Sequence, residues 1–242
     1  MSRHIIISAP ACSDPMYGRV LERADVLLLQ VLLRDSRASA AQIAEVTGLP
    51  AQAIPGMVAR MREAGIIGDM TTKPSLLSLN ARSVLVLGRS GLSSLQGLRM
   101  ALERNENVAW MAIATGGMAY VALHLREGAD LEREVRRVAS EAMMAQPKAM
   151  TRELFDHGRG GHAYTKDDMR ILRALYRDSN KDLEQVAKET GVAVRKVRER
   201  FDLMAMKGAL DFSVDFFPDN CDNLLAMLRL EVLDPRGLEE KV

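Results

Sequence analysis

Apolar residues in this chain recur with two different periods. Near the start, ADVLLLQVLLRDS carries the three-and-four spacing of a helix, SAAQIAEVTG is a shorter stretch of the same kind, and a third such segment ends at Gly65. The same order returns later as DDMRILRALYRDS, DLEQVAKETG and VAVRKVRERFDLMAMKG. A segment of strand character follows each set, IIGDMTT in the first and ALDFSVDFF in the second. There Phe212, Val214 and Phe216 alternate with Asp211, Ser213 and Asp215, the period of two of a half-buried strand.

The two sets are copies of one unit. Residues 25–65 laid over 168–208 without a gap, an offset of 143, coincide at Asp25/Asp168, Leu29/Leu172, Leu32/Leu175, Arg34/Arg177, Asp35/Asp178, Ser36/Ser179, Gln42/Gln185, Ala44/Ala187, Thr47/Thr190, Gly48/Gly191, Met61/Met204 and Gly65/Gly208. Composition alone gives roughly two or three such identities. Gly48 and Gly191 fall where the second helix must end, a position at which left-handed backbone is cheap only for glycine. Three helices with that tight turn predict a helix-turn-helix, and the strand that follows suits the wing of a winged helix.

Between the copies the pattern changes. SVLVL, VAWMAIA, MAYVALHL and KAMTRELF read as strands, and GLSSLQGLRMALERN and ADLEREVRRVASEAM read as amphipathic helices, the second with Leu131, Val135 and Val138 on one face. The order βαββαβ predicts a ferredoxin-like domain. One face of such a sheet is left without helices, so a dimer or larger homo-oligomer is expected. The predicted architecture is α+β: an N-terminal extension (1–22), a first winged helix-turn-helix (23–80), the ferredoxin-like domain (82–156), a glycine-containing linker that lets the second unit move (157–164), a second winged helix-turn-helix (165–218) and a tail (219–242).

Charge narrows the candidate chemistry. Against 33 Lys and Arg stand 32 Asp and Glu, so any surface for a polyanion must be local. In the third helix of the second copy, Val194, Val197, Phe201 and Met204 form an apolar stripe, and Arg195, Lys196, Arg198 and Arg200 are expected to project toward a DNA major groove. In the first copy the stripe is Ile54, Val58 and Met61. Gln52, Arg60 and Arg62 are its candidate contacts, with Pro55 and Gly56 weakening the opening turns. The second copy is therefore expected to be the principal DNA reader.

Other classes find little footing. Cys12 and Cys221 lie far apart with no CxxC neighbour, so neither a disulfide framework nor a metal site is expected. No nucleophile triad or phosphate-binding glycine loop is present, and His124 on a predicted strand reads as structural. No apolar run reaches the roughly 18 residues of a membrane span, and MSRHIIISAPACSDP has too short an apolar stretch for a secretion signal, so a cytoplasmic protein without cofactor is expected.

ADVLLLQVLLRDSRASAAQIAEVTGLP, MVARMREAGII and VAWMAIATGGMAYVALHL, in this order, resemble the Lrp/AsnC (feast/famine) family of transcription regulators, over residues 24–217. That resemblance implies operator binding by the helix-turn-helix, dimerisation by the βαββαβ domain, and a small-molecule effector such as an amino acid near Thr115, Gly116 and Gly117. Met118 and Ala119 stand where the family often has a polar or acidic residue. A second helix-turn-helix is a departure from the family, and so is the ending AMLRLEVLDPRGLEEKV, which resembles the start of another βαββαβ domain, either truncated or continuing in a longer product. Siroheme decarboxylases resemble the same arrangement, which makes a tetrapyrrole enzyme the alternative; a protein-interaction scaffold built from winged helices is a third reading.

Overall fold

The computed structural model describes residues 20–152 and 162–221. Helix α1 (Arg23–Arg34) opens on a reciprocal capping box between Glu22 and Asp25. Helix α2 (Ala40–Thr47) opens on Ser39, whose Oγ accepts the Gln42 N–H at 3.3 Å while Gln42 Oε1 accepts the Ser39 N–H at 2.9 Å. It stops at Gly48, at φ 72°. Helix α3 (Ile54–Glu63) tolerates Pro55 because the proline sits in the first turn, where the missing N–H has no helical partner. Its buried stripe is Ile54, Met57 and Met61, with Val58 only half-buried, so the expected stripe shifts by one at its middle position. Strand β1 (Ile67–Pro74) follows.

Next comes the expected βαββαβ domain: β2 (Ala81–Ser90), α4 (Leu95–Leu102), β3 (Val108–Ala114), β4 (Met118–Arg126), α5 (Leu131–Glu141) and β5 (Met144–Arg152). The strands form an antiparallel sheet in the order β3-β4-β2-β5. Val84, Val86, Val121 and Leu123 point to one side and bury against Leu98, Leu102 and Val138 of the two helices. Strand β5 begins at Met144, earlier than expected. Helix α5 stops at Glu141 and Met143 takes left-handed backbone at φ 52°, which turns the chain back so that Met144 pairs with Ser90.

The second copy repeats the first element by element as α6 (Lys166–Leu175), α7 (Leu183–Thr190), α8 (Val194–Met206) and β6 (Leu210–Phe216). Gly191, at φ 69°, ends α7 as Gly48 ends α2. The stripe of α8 is Val197, Phe201 and Met204; Val194, expected in it, is 39% exposed.

The two copies are not separate bodies. β1 and β6 pair antiparallel, Thr71 opposite Ser213 and Met70 opposite Val214. A register shift between Ile67 and Met70 moves the match by one, so that past it Thr71 corresponds to Ser213 and Thr72 to Val214, and the pairing is reciprocal about a pseudo-twofold axis through the Thr71–Ser213 pair. Ser36 Oγ lies 2.9 Å from the Oγ of its own counterpart, Ser179, on that axis. Their carbonyls are bonded crosswise, Arg37 Nη1 donating to Ser179 O at 2.5 Å and Asn180 Nδ2 to Ser36 O at 3.4 Å; Arg37 and Asn180 are again counterparts. The strand ends are bonded crosswise too, Phe217 N–H donating to Ile66 O at 2.8 Å and Ser75 N–H to Ala209 O at 2.9 Å; the acceptors are counterparts at the offset of 143 and the donors lie one residue off it.

The strands also trade cores. Val214 of β6 is buried in the core of α1, α2 and α3, with Phe216 packed beside it. Arg37, from the first copy, lies 4.8 Å from the ring centroid of Phe201 in the second. This corrects the expectation of a movable second unit. The expected linker lies partly outside the described residues, at His157–Gly161, but its last residues are anchored: His162 is buried with Nε2 3.2 Å from Asp168 Oδ2, and Tyr164 donates its hydroxyl to Ala209 O at 2.6 Å. The extension 1–19 and residues 222–242 of the tail also lie outside the described residues.

Candidate nucleic-acid interface

Four cations were expected to line the outer face of α8, and three of them do. Arg195, Lys196 and Arg198 are exposed, yet each meets a carboxylate: Arg195 Nε to Glu199 at 2.9 Å, Lys196 Nζ to Asp167 at 2.5 Å, Arg198 Nη2 to Glu184 at 3.1 Å. Lys196 holds the Asp167 carboxyl below its ordinary pKa through that hydrogen bond. Exposed pairs of this kind are worth roughly 0.2–1 kcal/mol and open readily for a competing phosphate. They lower the local positive field without abolishing it.

Arg200 departs from its expected role. Its Nε and Nη2 donate to Asp168 Oδ1 and Oδ2 at 2.7 and 2.5 Å, a bidentate pair that ties α8 to the first turn of α6. Asp168 is fully buried. Burial pushes its carboxyl up, but Arg200, the Thr165 N–H and hydroxyl, and His162 outweigh that and hold it well below the usual carboxylate range. Arg200 is a strut inside the unit. The signal was in the repeat: with the offset of 143, Arg200 falls on Met57, a buried position of the first copy.

The first copy presents a different surface. Gln52, Arg60 and Arg62 are exposed, Gln52 in the one-turn 3-10 segment Ala51–Ala53 that leads into α3. Among the described residues neither arginine is in an ion pair. Arg60 and Arg62 occupy the last turns of α3, where the second copy has Leu203 and Ala205. Chemistry that the second copy places at the start of its third helix is placed by the first copy at the end. The cations at the start of α8 are thus each paired, while among the described residues Arg60 and Arg62 are in no ion pair.

The remaining expected sites are plainly located. Thr115, Gly116 and Gly117 form the β3–β4 turn, Gly116 and Gly117 at φ 79° and 77°. An open cavity of about 560 Å³ lies instead at the far end of β2 and β4, lined by Asn80, Arg82, Arg126, Glu127 and Ala129. His124 stands exposed on β4, and partial desolvation, then the charge of Lys73, keep it below the ordinary histidine pKa. Among the described residues, no cluster of three or more His, Cys, Asp or Glu side chains could hold a metal ion. No helix among them is long and apolar enough to cross a membrane.

Residues 21–67 match the family model described as winged helix-turn-helix DNA-binding. The match covers α1, α2 and α3 and reaches the first residue of β1, so the chain is an α+β protein with an N-terminal winged helix-turn-helix and a ferredoxin-like sheet domain. Similar solved structures include Lrp/AsnC-type regulators. An AsnC family transcriptional regulator from Agrobacterium tumefaciens is 16% identical, with 62% of this chain and 99% of that chain covered and a TM-score of 0.38. The leucine response regulatory protein of Mycobacterium tuberculosis is also 16% identical, at 59% and 99% coverage and a TM-score of 0.37. The siroheme decarboxylase NirDL, bound to an iron-uroporphyrin III analogue, is 14% identical, with 79% of this chain and 65% of that chain covered and a TM-score of 0.49. No curated protein matches the chain.

Proposed function

We propose that this protein is a DNA-binding transcription regulator of the Lrp/AsnC type. The observation that carries the reading is the family match on residues 21–67 together with the exposed Arg60 and Arg62 on α3, which among the described residues are in no ion pair. The second three-helix unit is read as another winged helix-turn-helix, contributing Arg195, Lys196 and Arg198. The ferredoxin-like domain is read as the oligomerisation module, through the sheet face away from α4 and α5. On that face Leu85 lies between Ala122 and Met150, Trp110 beyond Ala122, and Tyr120 opposite Leu87. An amino-acid-like effector at Thr115, Gly116 and Gly117 belongs to the same reading.

The test is binding of the full chain to random-sequence duplex DNA as salt is varied. Neutralising several phosphates makes log K fall linearly with log salt, steeply enough to read at two concentrations. Affinity insensitive to salt, or no binding at low salt, would overturn the proposal.

A further inference from the structure

Resting on the DNA-binding reading, we infer that one chain reads an operator of two unlike half-sites, without a palindrome. The pseudo-twofold axis through Ser36/Ser179 and the centre of the β1–β6 pair carries α3 onto α8. A twofold axis keeps the part of a direction that runs along it and reverses the rest, so the two helices share a side where their outer faces run along the axis, and we assign them that placement. Two third helices on one side match successive major-groove openings of one duplex, about 10 base pairs apart. In homodimers this relation is made by two copies of a chain; here the covalent repeat makes it. The crossed bonds of Arg37 and Asn180, and Val214 buried in the other unit, fix it.

The axis relates backbone, not chemistry. Gln52 has Arg195 as its counterpart, Ala53 has Lys196, Pro55 has Arg198, Arg60 has Leu203 and Arg62 has Ala205. A glutamine suits the N6 and N7 edge of adenine, whereas arginines suit the O6 and N7 edge of guanine. The half-site under the first unit is therefore held by adenine readout from Gln52 and phosphate contacts from Arg60 and Arg62. The half-site under the second is guanine-bearing and read by Arg195 and Arg198.

The experiment is selection of bound 30-base-pair duplexes from a random library by the full chain, repeated with Gln52→Ala and with the double variant Arg195→Ala, Arg198→Ala. All three side chains are exposed, and unchanged circular dichroism and thermal midpoint verify folding. The expected motif has two different halves about 10 base pairs apart. Gln52→Ala should relax only the adenine-bearing half, and the double variant only the guanine-bearing half, each by about tenfold in base preference. A palindromic motif whose halves respond alike to either variant overturns the inference, as does a single half-site sensitive to one variant. Salt-dependent binding without any enriched motif also overturns it and leaves the DNA-binding reading standing. Absence of salt-dependent binding overturns both.

Discussion

The two three-helix units share a backbone and differ in where they place charge. Both bury Leu29/Leu172, Leu32/Leu175 and Met61/Met204, and both stop the second helix on a left-handed glycine. On the first unit, Arg60 and Arg62 stand exposed at the end of α3, in no ion pair among the described residues. On the second, three cations stand at the start of α8 against carboxylates of α6, α7 and α8 itself, and a fourth is drawn inside. The difference shows which constraints a duplicated fold keeps. Packing positions change only where a partner compensates, as Arg200 stands against Asp168 where the first copy buries Met57, since a void or an unpaired charge costs several kcal/mol, whereas exposed positions are free to diverge.

The sharpest way to break the comparison is at the exchanged strand. Val214→Asp puts a charge into the core of the first unit from the strand of the second, and is expected to cost more than about 3 kcal/mol. Chemical denaturation should show both units losing stability in one transition. Independent melting, with the first unit unaffected, would mean that the exchange does not hold in solution.

Next in size is the Arg200 strut. Arg200→Ala leaves Asp168 buried without its main partner and is expected to cost about 2–4 kcal/mol, while the affinity of the remaining folded protein for random duplex stays unchanged. A comparable loss of DNA affinity in folded protein would return Arg200 to the interface. The same carboxyl fixes a pH dependence. Its folded pKa lies below the unfolded value near 4, so its stabilisation is complete above that pH and is lost as acid carries the pH down toward the folded pKa. Denaturation midpoints measured below about pH 4 should fall for the wild type, and Asp168→Asn should flatten that part of the decline.

A smaller effect is expected on the axis. A double-mutant cycle of Ser36→Ala and Ser179→Ala should return a coupling of about 0.5–1.5 kcal/mol, because either single change leaves a buried hydroxyl without its partner. Smallest is Glu199→Gln, which releases Arg195. Random-duplex affinity should rise by about two- to fivefold at low salt, the worth of one exposed ion pair. No change would show that the carboxylate does not compete with phosphate.

Much of this was legible in the amino-acid sequence, for local reasons. Helical periodicity, Gly48 and Gly191, the apolar run SVLVL and the two-residue alternation of Phe212, Val214 and Phe216 each act within a few residues of chain. They determined the repeat, the helix order and the βαββαβ domain. The apolar stripe of α8 was legible too, save Val194, which is the exposed first residue of the helix.

Only the tertiary structure decided what those elements do to one another. That the wing strands pair across the repeat, that Val214 completes the first core, and that Ser36 meets Ser179 all follow from contacts between residues more than 130 positions apart, which local pattern does not encode. The fate of the cations belongs here as well. A run of Arg195, Lys196, Arg198 and Arg200 reads as one basic face, but whether a cation is free depends on which carboxylates the packing brings within 3–4 Å. Asp167, Asp168 and Glu184 come from other helices. Periodicity places a side chain on a face of its own helix; electrostatics is settled by what the fold sets opposite that face.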